Sequence, residues 1–153
     1  AWLDKGGGVD VPSAKHGNST LLRAAAGRGQ EAIVRMLLQR GASVNFHNGT
    51  TALISAAFSG HSTTVQVLLD AKADASLQSR SSWTPLTGYT PTHLQDGYTA
   101  LTMAVQQKHT ATAQVLRQHA KRQAAEAEAR AGASMAHAEA KAEAAATELL
   151  GEV

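Results

Sequence analysis

Two stretches of this 153-residue chain lie over one another for 26 residues without a gap. Thr20-Leu21-Leu22-Arg23-Ala24-Ala25-Ala26-Gly27-Arg28-Gly29-Gln30 falls on Thr51-Ala52-Leu53-Ile54-Ser55-Ala56-Ala57-Phe58-Ser59-Gly60-His61, an offset of 31. The match continues from Ile33-Val34-Arg35-Met36-Leu37-Leu38 onto Thr64-Val65-Gln66-Val67-Leu68-Leu69, and through Gly41-Ala42-Ser43-Val44-Asn45 onto Lys72-Ala73-Asp74-Ala75-Ser76. A third copy opens at Thr99-Ala100-Leu101-Thr102-Met103-Ala104 and continues to Ala113, Val115 and Leu116. Trp2-Leu3-Asp4-Lys5-Gly6-Gly7-Gly8-Val9-Asp10 reads as the tail of a still earlier copy. A unit this short cannot bury an apolar face alone, so its copies must stack.

Each unit has its own physical logic. The opening Thr caps a helix, its hydroxyl accepting from a backbone N–H that the first turn leaves unpaired. The helix that follows is Ala-rich, which lets neighbouring backbones approach closely. Gly29 or Gly60 ends it where a left-handed backbone is needed. The second helix is predicted to place Ile33, Val34, Leu37 and Leu38 on one buried stripe, and Val65, Leu68 and Leu69 on the next. The chain then turns outward at Gly41-Ala42-Ser43-Val44-Asn45.

Composition narrows the alternatives. With 31 Ala the chain favours helix, and with no Cys it has neither a disulfide framework nor a cysteine-based zinc site. No apolar run approaches the roughly 18 residues of a membrane span. The formal charge of +2 argues for no nucleic-acid partner. The start of the chain has neither the basic region nor the apolar stretch of a signal peptide.

These units resemble ankyrin repeats, whose consensus of about 33 residues opens with Thr-Pro-Leu-His-x-Ala. The resemblance covers a half-repeat at 1–10 and repeats at about 11–45, 46–77 and 96–120. It implies an all-α solenoid of helix-turn-helix units with short β-hairpin loops. None of the three copies keeps both the Pro and the His of the opening motif, so bonding between repeats is expected to be looser than in the family. The connection from Asn45 to Thr51 is short of the consensus and predicts a blunt first hairpin.

From Thr51 to Thr99 is 48 residues, one repeat plus 15. Thr84-Pro85-Leu86 looks like a repeat opening, but Gly88 and Pro91 fall where its helix would run. Residues 78–95 therefore read as an enlarged loop between two repeats. Trp83 and Tyr89 on a Pro-stiffened loop suit a binding role. A tolerated insertion fits the same residues, and the balance leans slightly towards it. Residues 121–153, rich in Ala, Glu, Lys, Arg and Gln, predict a solvated helix that Gly132 loosens in the middle; apolar a and d positions for a coiled coil are missing.

No spacing singles out a catalytic or metal-binding group. The seven His include no His-Glu-x-x-His arrangement, and Gly6-Gly7-Gly8 lacks the spacing of a phosphate loop. His61 and His109 fall at the family's structural Gly-His position. The resemblance implies a non-catalytic protein-binding module without cofactor or metal, contacting its partner through the concave face of the stack. Carried over position by position, that face holds His16, Ser19, Gly27, Arg28, His47, Asn48, Thr50, Phe58, Ser59, Tyr98, Gln106 and Gln107, with Trp83 and Tyr89 on the loop. A monomer in the cytoplasm or nucleus, bound to a protein and to neither nucleic acid nor membrane, is the expectation. The alternatives are a spacer fragment of a longer ankyrin array, favoured by the half-repeat at 1–10, and an accessory domain of a larger enzyme.

Overall fold

Three threonines open the helix pairs. In a computed structural model that describes residues 8–12, 19–47, 49–80 and 97–151, Thr20 Oγ1 accepts from Arg23 N at 3.2 Å, Thr51 Oγ1 from Ile54 N at 3.2 Å and Thr99 Oγ1 from Thr102 N at 3.3 Å. Each cap starts a helix of seven residues: α1 (Leu21–Gly27), α3 (Ala52–Phe58) and α5 (Ala100–Gln106). Each pairs in sequence with a second helix: α2 (Glu31–Gln39), α4 (Ser62–Asp70) and α6 (Thr110–Leu150). Left-handed residues separate the members of each pair. They are Gly29 (φ 68°), Gly60 (φ 78°) and, in the third copy, Lys108 (φ 61°). The equivalent reversals after α2 and α4 fall at Gly41 (φ 85°) and Lys72 (φ 67°).

Two contiguous units make up the chain, Ala1–Arg117 and Gln118–Val153. In the first, α1 packs on α3 and α3 on α5, while α2 packs on α4 behind them. Buried Ala25, Ala26, Ala56, Ala57, Ala100 and Ala104 let the inner helices approach. Leu22, Leu37, Leu53, Ile54, Leu68, Leu69 and Met103 fill the space between layers, each large side chain contributing roughly 1.5–3 kcal/mol on burial. The first turns of α6 add Ala113 and Leu116 to this core. Among the described residues the loops carry no regular strand, so the short hairpins expected from the family are built here as turns.

The outer stripe differs from the sequence expectation at one edge. Val34 and Leu37 are buried and Leu38 is half-buried, but Ile33 is exposed. In α4, by contrast, Val67 joins the predicted Val65, Leu68 and Leu69 in the core.

The expected looseness between repeats is offset from the other end of the unit. His109 Nε2 lies 2.9 Å from Phe58 O, a contact across 51 positions that ties the third copy to the second. Its ring sits over Gly60, and the ring of His61 sits over Gly29 in the same way. At the loops, Asn45 Oδ1 accepts from Asp74 N at 2.7 Å, joining the first two copies.

The second unit is helical through Leu150, and the described side chains from Ala120 to Glu148 are exposed. Gly132 lies inside unbroken helix. Its neighbours Ala131, Ala133 and Ala136 are strong helix formers, which offsets a Gly cost of about 1 kcal/mol.

Candidate protein-binding surface

The inner helices present matched positions in rows. Arg23 of α1 stands at the same repeat position as Ile54 of α3, and Gly27 at the same position as Phe58. Because Gly27 has no side chain, a shallow groove opens between α1 and α3. Arg23, Gly27, Thr50, Ile54, Ser55, Phe58 and Ser59 line it, and its volume is about 140 Å³. Its apolar lining is half-buried Phe58, which also packs against the core, and buried Ile54. Thr50 Oγ1 is buried there with no hydrogen-bond partner among the described residues. Burial pushes the Arg23 guanidinium below its ordinary pKa, yet such a group stays charged at neutral pH.

Several sequence-predicted residues meet in or beside this groove. Thr50, Phe58 and Ser59 line it, and Arg28 is the exposed C-cap residue of α1 next to Gly27. Gln106 ends α5 and Gln107 caps it, at the positions that Phe58 and Ser59 hold in α3. Ser19 is buried beside the first cap. Arg23, Ile54 and Ser55 were missed by sequence reasoning. An arginine interrupting the run of apolar and Ala residues in α1 was the available signal.

A second group surrounds the neck of the enlarged loop. Ser79 N donates to Tyr98 O and Gly97 N donates to Ser79 O, both at 2.8 Å. Ser79 Oγ also accepts from Tyr98 N at 3.2 Å. These bonds pin the two ends of the insertion together, so the repeat after it resumes with its Thr99 cap intact. His47 Nε2 lies 2.8 Å from Gln78 O, and Arg80 N donates to Gly49 O at 2.7 Å, linking this neck to the preceding loop. Tyr98 is half-buried against the core, and His47 is half-buried at the neck. His16, Asn48, Trp83 and Tyr89 lie outside the described residues.

The threonine caps, the matched left-handed turns, the histidines seated over glycines and the Asn45–Asp74 loop bond recur in one register. The family model for ankyrin repeats, three copies long, matches residues 2–81, just over half of the sequence. The chain belongs to the ankyrin-repeat family. Ankyrin repeats generally mediate protein–protein interaction. Comparison with curated proteins found no match. The copy that opens at Thr99 follows the matched region and repeats its threonine cap, its left-handed turn and its histidine seated over a glycine.

Among the described residues, no three His, Asp or Glu side chains come together as a metal-binding group. No helix among them is long and apolar enough to cross a membrane.

Proposed function

We propose that this chain is a non-catalytic protein-binding module that receives its partner on the concave face formed by α1, α3, α5 and the loops before them. The groove between α1 and α3 carries the proposal. It combines apolar side chains, a cation, hydroxyls and a buried oxygen that has no partner among the described residues, which is the mixture that protein side chains pair with. A partner donor reaching Thr50 Oγ1 would supply the missing bond there, and an aromatic or aliphatic side chain would cover Phe58. The face needs no cofactor and no metal for this. The balance of charge gives nucleic acid no special hold, and binding by a monomer inside the cell, in cytoplasm or nucleus, is the setting that fits.

Affinity capture with the intact chain, followed by mass spectrometry, tests the reading when run beside Phe58→Ala and Ser59→Arg variants. A protein retained by the wild type and depleted at least about tenfold by both variants, with helix content preserved, supports it. A partner that both groove variants retain in full overturns the concave-face reading.

A further inference from the structure

We infer that the segment received between α1 and α3 is an acidic stretch of a partner protein, whose Asp or Glu reaches Arg28 while a large apolar neighbour lies against Phe58. This rests on the concave-face reading and names the chemistry of the partner. The first observation is where the charges of the repeats fall. Residues 19–30, 50–61 and 98–109 make the inner helices with their caps and the turns after them. They hold Arg23, Arg28 and Lys108 and no Asp or Glu. Among the described residues, the acids of the repeats are Asp10, Glu31, Asp70 and Asp74. Glu31 and Asp70 stand on the outer helices α2 and α4, and Asp10 and Asp74 in loops. Each is engaged where it stands. Asp10 accepts from Ser43 N at 2.9 Å, and Glu31 pairs with Arg35 at 2.9 Å. Asp70 accepts from Gln66 at 2.9 Å, and Asp74 from Ser76 N at 2.8 Å. The inner stretches thus concentrate positive charge in a chain whose formal total is only +2.

The second observation is what stands beside those cations. Arg28 is the exposed C-cap residue of α1, next to Gly27, whose missing side chain opens the groove towards Phe58. A guanidinium stays charged at neutral pH and holds a carboxylate through two parallel N–H donors. Arg23 lines the same groove, and its partial burial strengthens its field because less water screens it. Thr50, Ser55 and Ser59 complete the polar lining with hydroxyls, which add no charge. A carboxylate alone gains little at an exposed arginine. Half-buried Phe58 supplies the apolar contact that fixes the neighbouring residue of the partner. The groove, about 140 Å³, is close to the space that holds one benzene ring, so it takes a single large side chain. Nucleic acid is a poorer match. Three cations offer few phosphate contacts, and among the described residues the groove has a single aromatic ring for base stacking.

A random peptide library displayed on phage and selected on the intact chain tests this. The expected result is enrichment of sequences that place Asp or Glu beside an aromatic or large aliphatic residue. Synthetic peptides of those sequences should bind more weakly as salt rises from about 50 to about 300 mM. Arg28→Glu should weaken their binding by about fivefold or more and flatten the salt dependence. Arg35→Glu makes the same change of net charge on the outer helix α2 and should leave binding within about twofold. Circular dichroism checks that both variants keep their helix content. Selected peptides with no acidic excess, no enrichment at all, equal losses for Arg28→Glu and Arg35→Glu, or displacement by an oligothymidylate of matched charge would each overturn the inference. Peptides that lack acids but are lost with Phe58→Ala would overturn it while leaving the concave-face reading in place. Acidic peptides that Phe58→Ala retains in full would overturn both.

Discussion

Gly60→Ala isolates what a single close approach contributes to the stack. Two costs fall on the new methyl. Gly60 has φ 78°, where an L-residue loses about 1 kcal/mol relative to glycine. A Cβ there would also stand 2.6 Å from His109 Nδ1 and 2.7 Å from Cγ, closer than such atoms come in proteins. The ring cannot swing aside freely, because its Nε2 is held 2.9 Å from Phe58 O. Moving it gives up that bond, worth about 1 kcal/mol, and disturbs packing by at least about 1 kcal/mol more. The total for Gly60→Ala is about 3 kcal/mol. Gly41→Ala serves as the control: its φ is 85° but nothing lies within 4 Å of the added carbon, so only the backbone cost of about 1 kcal/mol applies. Urea unfolding followed by circular dichroism measures both. A double-mutant cycle with His109→Ala should then return most of the excess of about 2 kcal/mol, since the obstacle is gone. Equal losses for Gly60→Ala and Gly41→Ala, or a cycle with no coupling, would refute the reasoning that His109 seated over Gly60 locks the repeats.

Three further outcomes follow from the same geometry. Lys108 occupies the left-handed turn that Gly29 and Gly60 occupy in the other copies, so Lys108→Gly should raise the urea unfolding free energy by about 0.5–1 kcal/mol. Asp74 accepts from the Ser76 hydroxyl at 2.6 Å and from Ser76 N at 2.8 Å, and these bonds hold its carboxyl below the ordinary value. Its stabilising contribution is therefore present at neutral pH, above the unfolded-state pKa, and is lost as acid takes the solution down through the lowered folded-state pKa. Compared by urea midpoint at pH 7 and pH 3, Asp74→Ala should lose less stability on acidification than the wild type. The effect should be small, because the group is largely exposed to water. Gly132→Ala, with nothing within 4 Å of the added methyl, should raise the helix signal of residues 118–151 by the equivalent of about 1 kcal/mol. The cooperative unfolding midpoint of the repeats should stay where it is.

The candidate surface was only partly legible in the residues. Thr50, Phe58 and Ser59 could be placed by their position in the repeat, and all three line the groove. Arg23 and Ile54 could not. Their side chains meet only because α1 and α3 lie side by side, and a one-dimensional pattern carries no information about which residues of two helices face a shared gap. The histidines were assigned correctly to a structural role by position. The atom that His109 reaches, Phe58 O, depends on the spacing between stacked repeats and is set in three dimensions.

What the sequence by itself determined is the local grammar. Thr at a fixed place before an Ala-rich run makes a capped helix, Gly at a fixed place after it makes a left-handed turn, and both effects act over a few bonds along the chain. Repetition of that grammar then requires stacking, because no unit can bury its own apolar side. Burial at each outer position was decided by tertiary structure alone. Ile33 and Thr64 occupy the same place in the repeat, yet the isoleucine is exposed and the threonine is buried. Intrinsic hydrophobicity predicts the reverse. The physical reason is that burial belongs to a pair of surfaces: α4 has α2 packed before it, and the face of α2 that carries Ile33 and Met36 is open among the described residues.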